Sequence, residues 1–261
     1  MHDAGKINPT VFQQASCSTE LIGSEEETVM YRIFFFIGLL IFIAMFCFGN
    51  SEESEVLTIN EQLIIAAEQG DTPRVLKLLS NGADINGRDK RGRTAVMAAT
   101  HGNRVATVKA LIQAGADINL RDNMMDNPFL YSGAEGLLDI LKLTIAAGAD
   151  PKLTNRYGGT ALIPAAQRGH VEVVREILLH TKVDINHINK LGWTALLEAI
   201  VLTDGDIKHQ QIVQLLVDHG ANISIPDKEG VTPLQHAQKK NFTPIVDILT
   251  KAGAKSIISP Q

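Results

Sequence analysis

Cysteine is nearly absent from this chain of 261 residues, which has only Cys17 and Cys47. The chain after residue 57 therefore contains no disulfide and no thiolate metal site. An excess of charge of one sign is also lacking, because residues 51–261 carry 24 acids against 22 lysines and arginines. Such near neutrality argues against a nucleic-acid binder that relies on bulk positive charge.

Signatures of catalysis, phosphate binding and metal binding are lacking as well. The pair Gly158-Gly159 belongs to no G-x-x-x-x-G-K pattern, and no predicted strand precedes it. None of the eight histidines forms an H-x-x-x-H pair. We therefore predict a protein that is not an enzyme and that holds no cofactor and no metal.

What the chain has instead is a repeat of about 33 residues. Residues 155–179, NRYGGTALIPAAQRGHVEVVREILL, indicate a turn, a short helix (160–168), a Gly-His break and a second helix (171–179). Related phrases recur along the chain, and the aspartate position of their Gly-Ala-Asp marker advances in steps of 33, 33, 34, 38 and 33 residues. The residues at this position are Asp84, Asp117, Asp150, Asp184, Asn222 and Lys255. A turn and two helices at this period predict an all-α stacked solenoid.

The repeat divides the chain into an N-terminal region and a stack. No single unit can bury its apolar face, so the core is expected to run continuously along the stack. Residues 1–29 are polar and predicted to be disordered, residues 51–56 form a short acidic tether, and residues 259–261 are a tail. The six predicted units are 57–87, 88–120, 121–153, 154–187, 188–225 and 226–258.

The N-terminal region contains a run of 16 apolar residues that Ile33 and Phe48 delimit, and no charge follows Arg32 until the acidic tether. This length lies between a membrane-spanning helix and the core of a signal peptide. Residues 30–50 are thus interpreted as a single-pass anchor with exported repeats, as a signal peptide with translation starting at Met30, as a lipoprotein segment acylated at Cys47, or as an internal apolar helix. The first three interpretations predict repeats that are membrane-bound, secreted or periplasmic.

The repeat resembles the ankyrin-repeat family over about residues 57–258. Gly230-Val231-Thr232-Pro233-Leu234 matches the opening G-x-T-P-L, and Ala165-Ala166-x-x-Gly169-His170 matches the end of the inner helix. The outer helix is matched by Val173-Val174 with Leu178-Leu179, and the closing turn by Gly115-Ala116-Asp117-Ile118-Asn119. The segments NPFLYSGAEG and LGWTALLEAI are similar to small bacterial ankyrin-repeat proteins of unsettled function. The resemblance implies a solenoid that grips protein partners with its turn tips and inner-helix ends.

Three features depart from the family pattern. The histidine of T-P-L-H is absent, and we expect apolar packing at its positions, which are Met97, Leu130, Ile163, Leu197 and Gln235. Met125 stands where the other turns have glycine, so a different turn geometry is expected there. Five extra residues around 203–209 lengthen the connection between the helices of the fifth unit, either neutrally or as a binding loop.

The turns predict a partner-binding face when residues are counted from the first residue of each turn. The turn origins are Asp89, Asp122, Asn155, Asn189 and Asp227. The residues one, two and four positions after these origins form two groups. The basic row consists of Lys90, Arg91, Arg93, Arg156 and Lys190. The apolar patch consists of Met124, Tyr157, Leu191 and Trp193. Aromatic residues, methionine and arginine are enriched at interface cores. We predict a protein partner with an acidic rim and an apolar anchor; the alternative is that Trp193 packs inward and the other tips are merely solvated.

The sequence therefore predicts a non-enzymatic scaffold for protein–protein interaction that is anchored in a membrane or exported. Two alternatives stay open. One is an immunity or chaperone-like module dedicated to a single secreted or membrane protein, and the other is a cytosolic regulatory protein of the same fold. The number of partners separates the first alternative from the scaffold, and the compartment separates the second.

Overall fold

Residues 57–255 are described by this computed structural model, and twelve helices in six pairs lie between those limits. The inner helices of the pairs are α1 Ile59–Gln69, α3 Ala95–His101, α5 Pro128–Glu135, α7 Leu162–Gln167, α9 Ala195–Val201 and α11 Pro233–Lys239. The outer helices are α2 Thr72–Ser80, α4 Val105–Gln113, α6 Leu138–Ala146, α8 Val171–His180, α10 Ile207–Asp218 and α12 Thr243–Lys251. No strand occurs within this part of the chain, so the predicted all-α solenoid is confirmed.

The helices stack in two layers. Each inner helix packs against the inner helix of the next unit, and each outer helix packs against the next outer helix. The inner layer is built from small side chains, because the alanine pairs Ala66-Ala67, Ala98-Ala99 and Ala165-Ala166 are all fully buried. Small residues at these positions let neighbouring helices approach closely, and the core therefore runs along the stack as the repeat predicts.

Short polar side chains begin most of the inner helices. The hydroxyls of Thr94 and Thr194 accept hydrogen bonds from the amides of Met97 and Leu197, which satisfies donors that a helix start leaves free. In the third unit Asn127 replaces the threonine, and its Oδ1 accepts the Leu130 amide at 2.8 Å. The cap is thus kept where the sequence departs from the pattern.

The inner helix of the fourth unit starts later than the sequence predicts, at Leu162 rather than at residue 160. Pro164 has no N–H to donate to the Thr160 carbonyl, and the Ile163 amide donates there instead, at 3.2 Å. The Thr160 hydroxyl, although buried, has no hydrogen-bond partner. Because of Pro164, the helix therefore begins with a tighter turn, and the Thr160 hydroxyl does not cap it.

Met125 adopts the backbone conformation of the glycines that it replaces, so the expectation of a different turn was wrong. Its φ is 63°, beside 75° at Gly92 and 73° at Gly158. A left-handed conformation costs a residue with a side chain about 1–2 kcal/mol. The turn holds it there because Asp122 Oδ1 accepts the amides of Met124 and Asp126 at 2.8 and 3.0 Å.

The insertion of the fifth unit does not form a free loop. Its C-terminal part lengthens the outer helix α10, which has 12 residues, whereas α4 and α6 have nine each. His209 Nε2 lies 3.0 Å from the Gln167 carbonyl of the fourth unit, and Lys240 Nζ of the sixth unit donates to the Thr203 carbonyl at 2.7 Å. The extra residues therefore join three consecutive units.

The predictions for residues 1–56 and for the tail 259–261 fall outside the described residues. They include the disordered segment, the apolar segment 30–50 and the acidic tether, all of which stay predictions. Between residues 57 and 255, no helix combines the length and the apolar character needed to cross a bilayer.

Candidate functional site

Five turns, here called fingers, project between consecutive units, at residues 89–93, 122–126, 155–159, 189–193 and 227–231. Their backbone is clamped by the side chain of the first residue. Asn155 Oδ1 accepts the amides of Tyr157 and Gly159 at 2.9 and 3.0 Å, and Asn189 Oδ1 accepts those of Leu191 and Trp193, both at 3.0 Å. This Asx-type clamp fixes the second and third residues at the tip of the finger.

Neighbouring fingers are hydrogen-bonded to each other. The Lys190 amide donates to the Tyr157 carbonyl at 3.0 Å, and its Nζ donates to the Arg156 carbonyl at 2.9 Å. Lys228 Nζ repeats the contact one finger further on, to the Lys190 carbonyl at 2.7 Å. The fingers of the fourth to sixth units thus form one edge with their tips in register.

Three of the predicted apolar residues are exposed at successive tips. Met124, Tyr157 and Leu191 are 48%, 53% and 50% exposed. The Arg156 guanidinium lies 4.7 Å from the centre of the Tyr157 ring, and its Nη1 lies 3.4 Å from Met124 Sδ. The structure therefore brings Met124, Arg156 and Tyr157 together, and these contacts across the fingers limit the freedom of the tips.

Arg93 does not belong to the exposed row, and its inclusion in the partner-binding face was wrong. Its Nη1 donates to Glu68 Oε1 at 2.9 Å and its Nε to Asp89 Oδ2 at 2.8 Å, and the residue is only 8% exposed. The fourth residue after a turn origin leads back from the tip towards the inner helices. Trp193, at the same position of the fifth unit, is half-buried, whereas Lys90 and Arg91 are exposed.

The positions of the absent histidine behave as predicted in four units. Met97, Leu130, Ile163 and Leu197 are buried in the core, and Gln235 instead caps its helix. The fifth and sixth units nevertheless keep a hydrogen bond from turn to inner helix, made by the next residue along. These bonds join Asn189 Nδ2 to Glu198 Oε1 at 2.7 Å and His236 Nε2 to Asp227 Oδ2 at 2.6 Å.

A pocket of about 220 Å³ opens between the fourth and fifth units, at the base of their fingers. Tyr157 and Leu191, two of the predicted residues, line it from the fingers. The fingers also contribute Asn155, Gly159 and Asn189. The remaining lining residues are Ile163, Pro164 and Gln167 of α7, Glu198 of α9 and Leu202 just after α9. Because Gly159 has no side chain, the base of the finger leaves this space open. We call it the Glu198 pocket.

Glu198 is the charged group of this pocket. The residue is only 5% exposed, and burial raises the pKa of its carboxyl above the usual range. Among residues 57–255 no lysine, arginine or histidine lies within ion-pair distance of it. Sequence reasoning missed Glu198, although one signal was present: the second, third, fourth and sixth units have Ala98, Tyr131, Pro164 and His236 at this helical position.

Asp126 adds a titrating group beside the apolar tips. Burial and the neighbouring Asp122 carboxylate raise the pKa of Asp126 to about 6, and the Arg156 charge partly opposes them. The folded chain thus binds the proton more tightly than the unfolded chain, whose value is near 3.8. The free energy of unfolding therefore falls as the pH rises between these two values.

We expect Asp126→Asn to remove this fall and to raise the free energy of unfolding at pH 7 by roughly 1–2 kcal/mol, after a discount for partial solvent screening. Urea unfolding of both proteins at pH 4 and pH 7 measures the difference, with the exposed Asp139→Asn as the control. A stability difference that is the same at both pH values would contradict the assignment.

One cluster within the described part of the chain has the composition of a cation site. Asp204, Asp206 and His209 place ligand atoms within 4.8 Å of one another. Asp206 Oδ1, however, accepts the His209 amide at 2.9 Å and caps α10, and it lies 2.7 Å from His209 Nδ1. Helix capping accounts for this arrangement.

Comparisons with known proteins agree with the architecture. A family model of three ankyrin repeats matches the chain twice, over residues 63–143 and 129–227. YahD of Escherichia coli (strain K12), which is named as an ankyrin repeat protein, is 46% identical over 191 residues, 73% of this chain and 95% of YahD.

Two solved structures extend the comparison. An ankyrin repeat domain from Acinetobacter baumannii AYE is 52% identical, with a TM-score of 0.72 over 74% of this chain and 98% of that domain. Another ankyrin repeat protein is 41% identical, with a TM-score of 0.69 over 72% of this chain and 96% of its own. The repeated turns, the six helix pairs and these similarities lead to one conclusion: the chain belongs to the ankyrin-repeat family.

Proposed function

We propose that this protein is a binding scaffold that holds a protein partner on the fingers of its third to fifth units. One observation carries the proposal: Met124, Tyr157 and Leu191 are large apolar side chains, each about half exposed, on three successive fingers. Grouped apolar side chains on a surface are typical of interaction sites. Tyrosine, methionine and arginine are also the residues that interface cores favour.

The charges around these tips favour an acidic partner. Lys90, Arg91, Arg156 and Lys190 are exposed on the same row of fingers. Charges at the edge of an interface raise the association rate and make it depend on salt, whereas buried apolar anchors hold most of the binding free energy. The expected partner therefore has an apolar anchor surrounded by carboxylates.

Capture of partners by the full-length protein tests the proposal. We expect Tyr157→Ala combined with Leu191→Ala to abolish recovery of the partner. Leu179→Ser on the outer helix α8, where Leu179 is 58% exposed, should leave recovery unchanged. Equal recovery by the double variant would contradict the proposal. One stoichiometric partner would favour a module dedicated to a single protein, and several partners would favour a general scaffold.

We propose further that residues 30–50 bring the repeats to or across a membrane. The support is the uncharged apolar run between Arg32 and the acidic tether. A compartment-sensitive reporter fused after Gln261 is expected to be active on the exported side. Deletion of residues 30–50 should return it to the cytosol. Activity in the cytosol alone, with those residues present, would contradict this proposal.

A further inference from the structure

We infer that the Glu198 pocket takes one lysine side chain of the bound partner. The inference rests on the proposed function, because it needs a partner that lies across the fingers of the fourth and fifth units. It adds the identity of one side chain that this partner inserts.

The size of the pocket suits a single side chain. Its volume is about 220 Å³, whereas sites for small molecules and cofactors measure roughly 300–1,000 Å³. The space is nevertheless several times the roughly 30 Å³ that one water occupies in the liquid. One long side chain therefore fits the pocket better than a whole ligand or a lone water.

The walls suit the aliphatic part of a lysine. Tyr157, Ile163, Pro164, Leu191 and Leu202 line the pocket with carbon atoms, and lysine buries its methylene stem along such surfaces. The backbone does not require glycine at the base of the finger. A Cβ at Gly159 would meet its nearest neighbours at 3.6 Å, which is ordinary contact. The missing side chain serves to keep the pocket open.

The charge of the pocket is uncompensated. Glu198 Oε1 accepts the Asn189 amide group, and no hydrogen bond reaches Oε2 from residues 57–255. A buried carboxylate without a counter-charge is costly. In the sixth unit Asp227 of the turn pairs with His236 of the inner helix. In the fifth unit the turn residue that contacts Glu198 is Asn189, whose amide is neutral. A cation from outside would therefore remove a cost that the chain itself leaves in place.

The single available oxygen favours lysine over arginine. A guanidinium binds best when it contacts both oxygens of a carboxylate, whereas an ammonium is a compact charge that one oxygen satisfies. The exposed cations Arg156 and Lys190 flank the pocket at the finger tips. The segment that fits best thus has a lysine between acidic residues.

Synthetic peptides test the inference on the full-length protein. Four acidic peptides differ only at a central position, which is lysine, arginine, norleucine or glutamate, and fluorescence anisotropy measures their affinities. We expect the lysine peptide to bind about tenfold more tightly than the norleucine peptide. Glu198→Gln, whose amide oxygen still accepts from Asn189, should bring the two within twofold of each other. Gly159→Val, which narrows the pocket, should weaken both.

Four results would overturn the inference: no binding of any peptide, equal binding of lysine and norleucine, tighter binding of arginine than lysine, or a lysine preference that survives Glu198→Gln. The proposed function fails separately. If the Tyr157→Ala and Leu191→Ala double variant loses the captured partner while Glu198→Gln retains full affinity for it, the scaffold stands and the lysine pocket falls. If neither variant affects capture, both fall.

Discussion

Replacing Arg93 by alanine is expected to lower the free energy of unfolding by roughly 2 kcal/mol, because it removes the buried cation that two partly exposed carboxylates share. Arg93 joins Glu68 at the end of α1 to Asp89 at the start of the first finger. Its loss leaves the Asp89 carboxylate, whose side chain is 15% exposed, with backbone amides as its hydrogen-bond donors. The first two units then lose the ion pair that links them.

The neighbouring Arg91 provides the matched control, since it has the same chemistry on an exposed tip. Arg91→Ala should change the free energy of unfolding by less than about 0.5 kcal/mol. Urea unfolding followed by circular dichroism measures both variants. Equal effects of the two substitutions would contradict the buried position of Arg93.

The pH dependence provides a second check on the same pair. The hydrogen bond from Arg93 lowers the pKa of Glu68 below 4.5, its ordinary value. A lowered pKa of an acid contributes stability that is complete above the unfolded value and disappears as the pH falls through the folded value. The difference in the free energy of unfolding between the wild-type protein and Arg93→Ala should therefore shrink as the pH falls through the pKa of Glu68 in the folded protein.

The double substitution Tyr157→Ala and Leu191→Ala is expected to weaken binding of the purified partner by about 100-fold, with each residue contributing about tenfold. Truncation of an interface residue that contributes to binding costs more than about 1 kcal/mol, and each 1.4 kcal/mol corresponds to a factor of ten. Both side chains are half exposed in the free protein. Their loss should therefore leave the free energy of unfolding within about 0.5 kcal/mol of its starting value.

Isothermal titration calorimetry on the full-length protein measures this affinity, and thermal unfolding checks that the fold is intact. Leu179→Ser and Leu76→Ser remove exposed leucines from the outer helices α8 and α2 and serve as controls. Unchanged affinity in the double variant, or an equal loss in the controls, would contradict binding at the fingers.

The stack could be predicted from the sequence because its repeats state the same local rule six times. Polar caps such as Thr194 and the Gly-Ala-Asp markers fix the ends of the helices within a few residues. The exception, α7, starts late because of a single residue, Pro164. One proline in the first helical turn changes a cap that composition alone suggests is present.

The candidate site could be predicted only in part, because counting along a turn gives the order of the residues but not whether each side chain points to the solvent or to the core. Arg91 and Arg93 differ by two positions, yet one is exposed and the other is buried. The expectation of a different turn at Met125 was wrong because the hydrogen bonds of the turn hold a left-handed residue in place. That conformation costs only about 1–2 kcal/mol. Glu198 was missed because its pocket is open only where the neighbouring fourth unit has no side chain, at Gly159.

A photo-cross-linking residue placed at position 157 tests the central claim most directly, because it records what touches that finger in the cell. Replacement of Tyr157 by benzoylphenylalanine keeps an aromatic ring at the tip, and the same residue at position 179 marks the outer helix α8. Binding on the fingers predicts a covalent protein adduct of defined mass from position 157 and none from position 179. An adduct from position 179 alone would contradict the account.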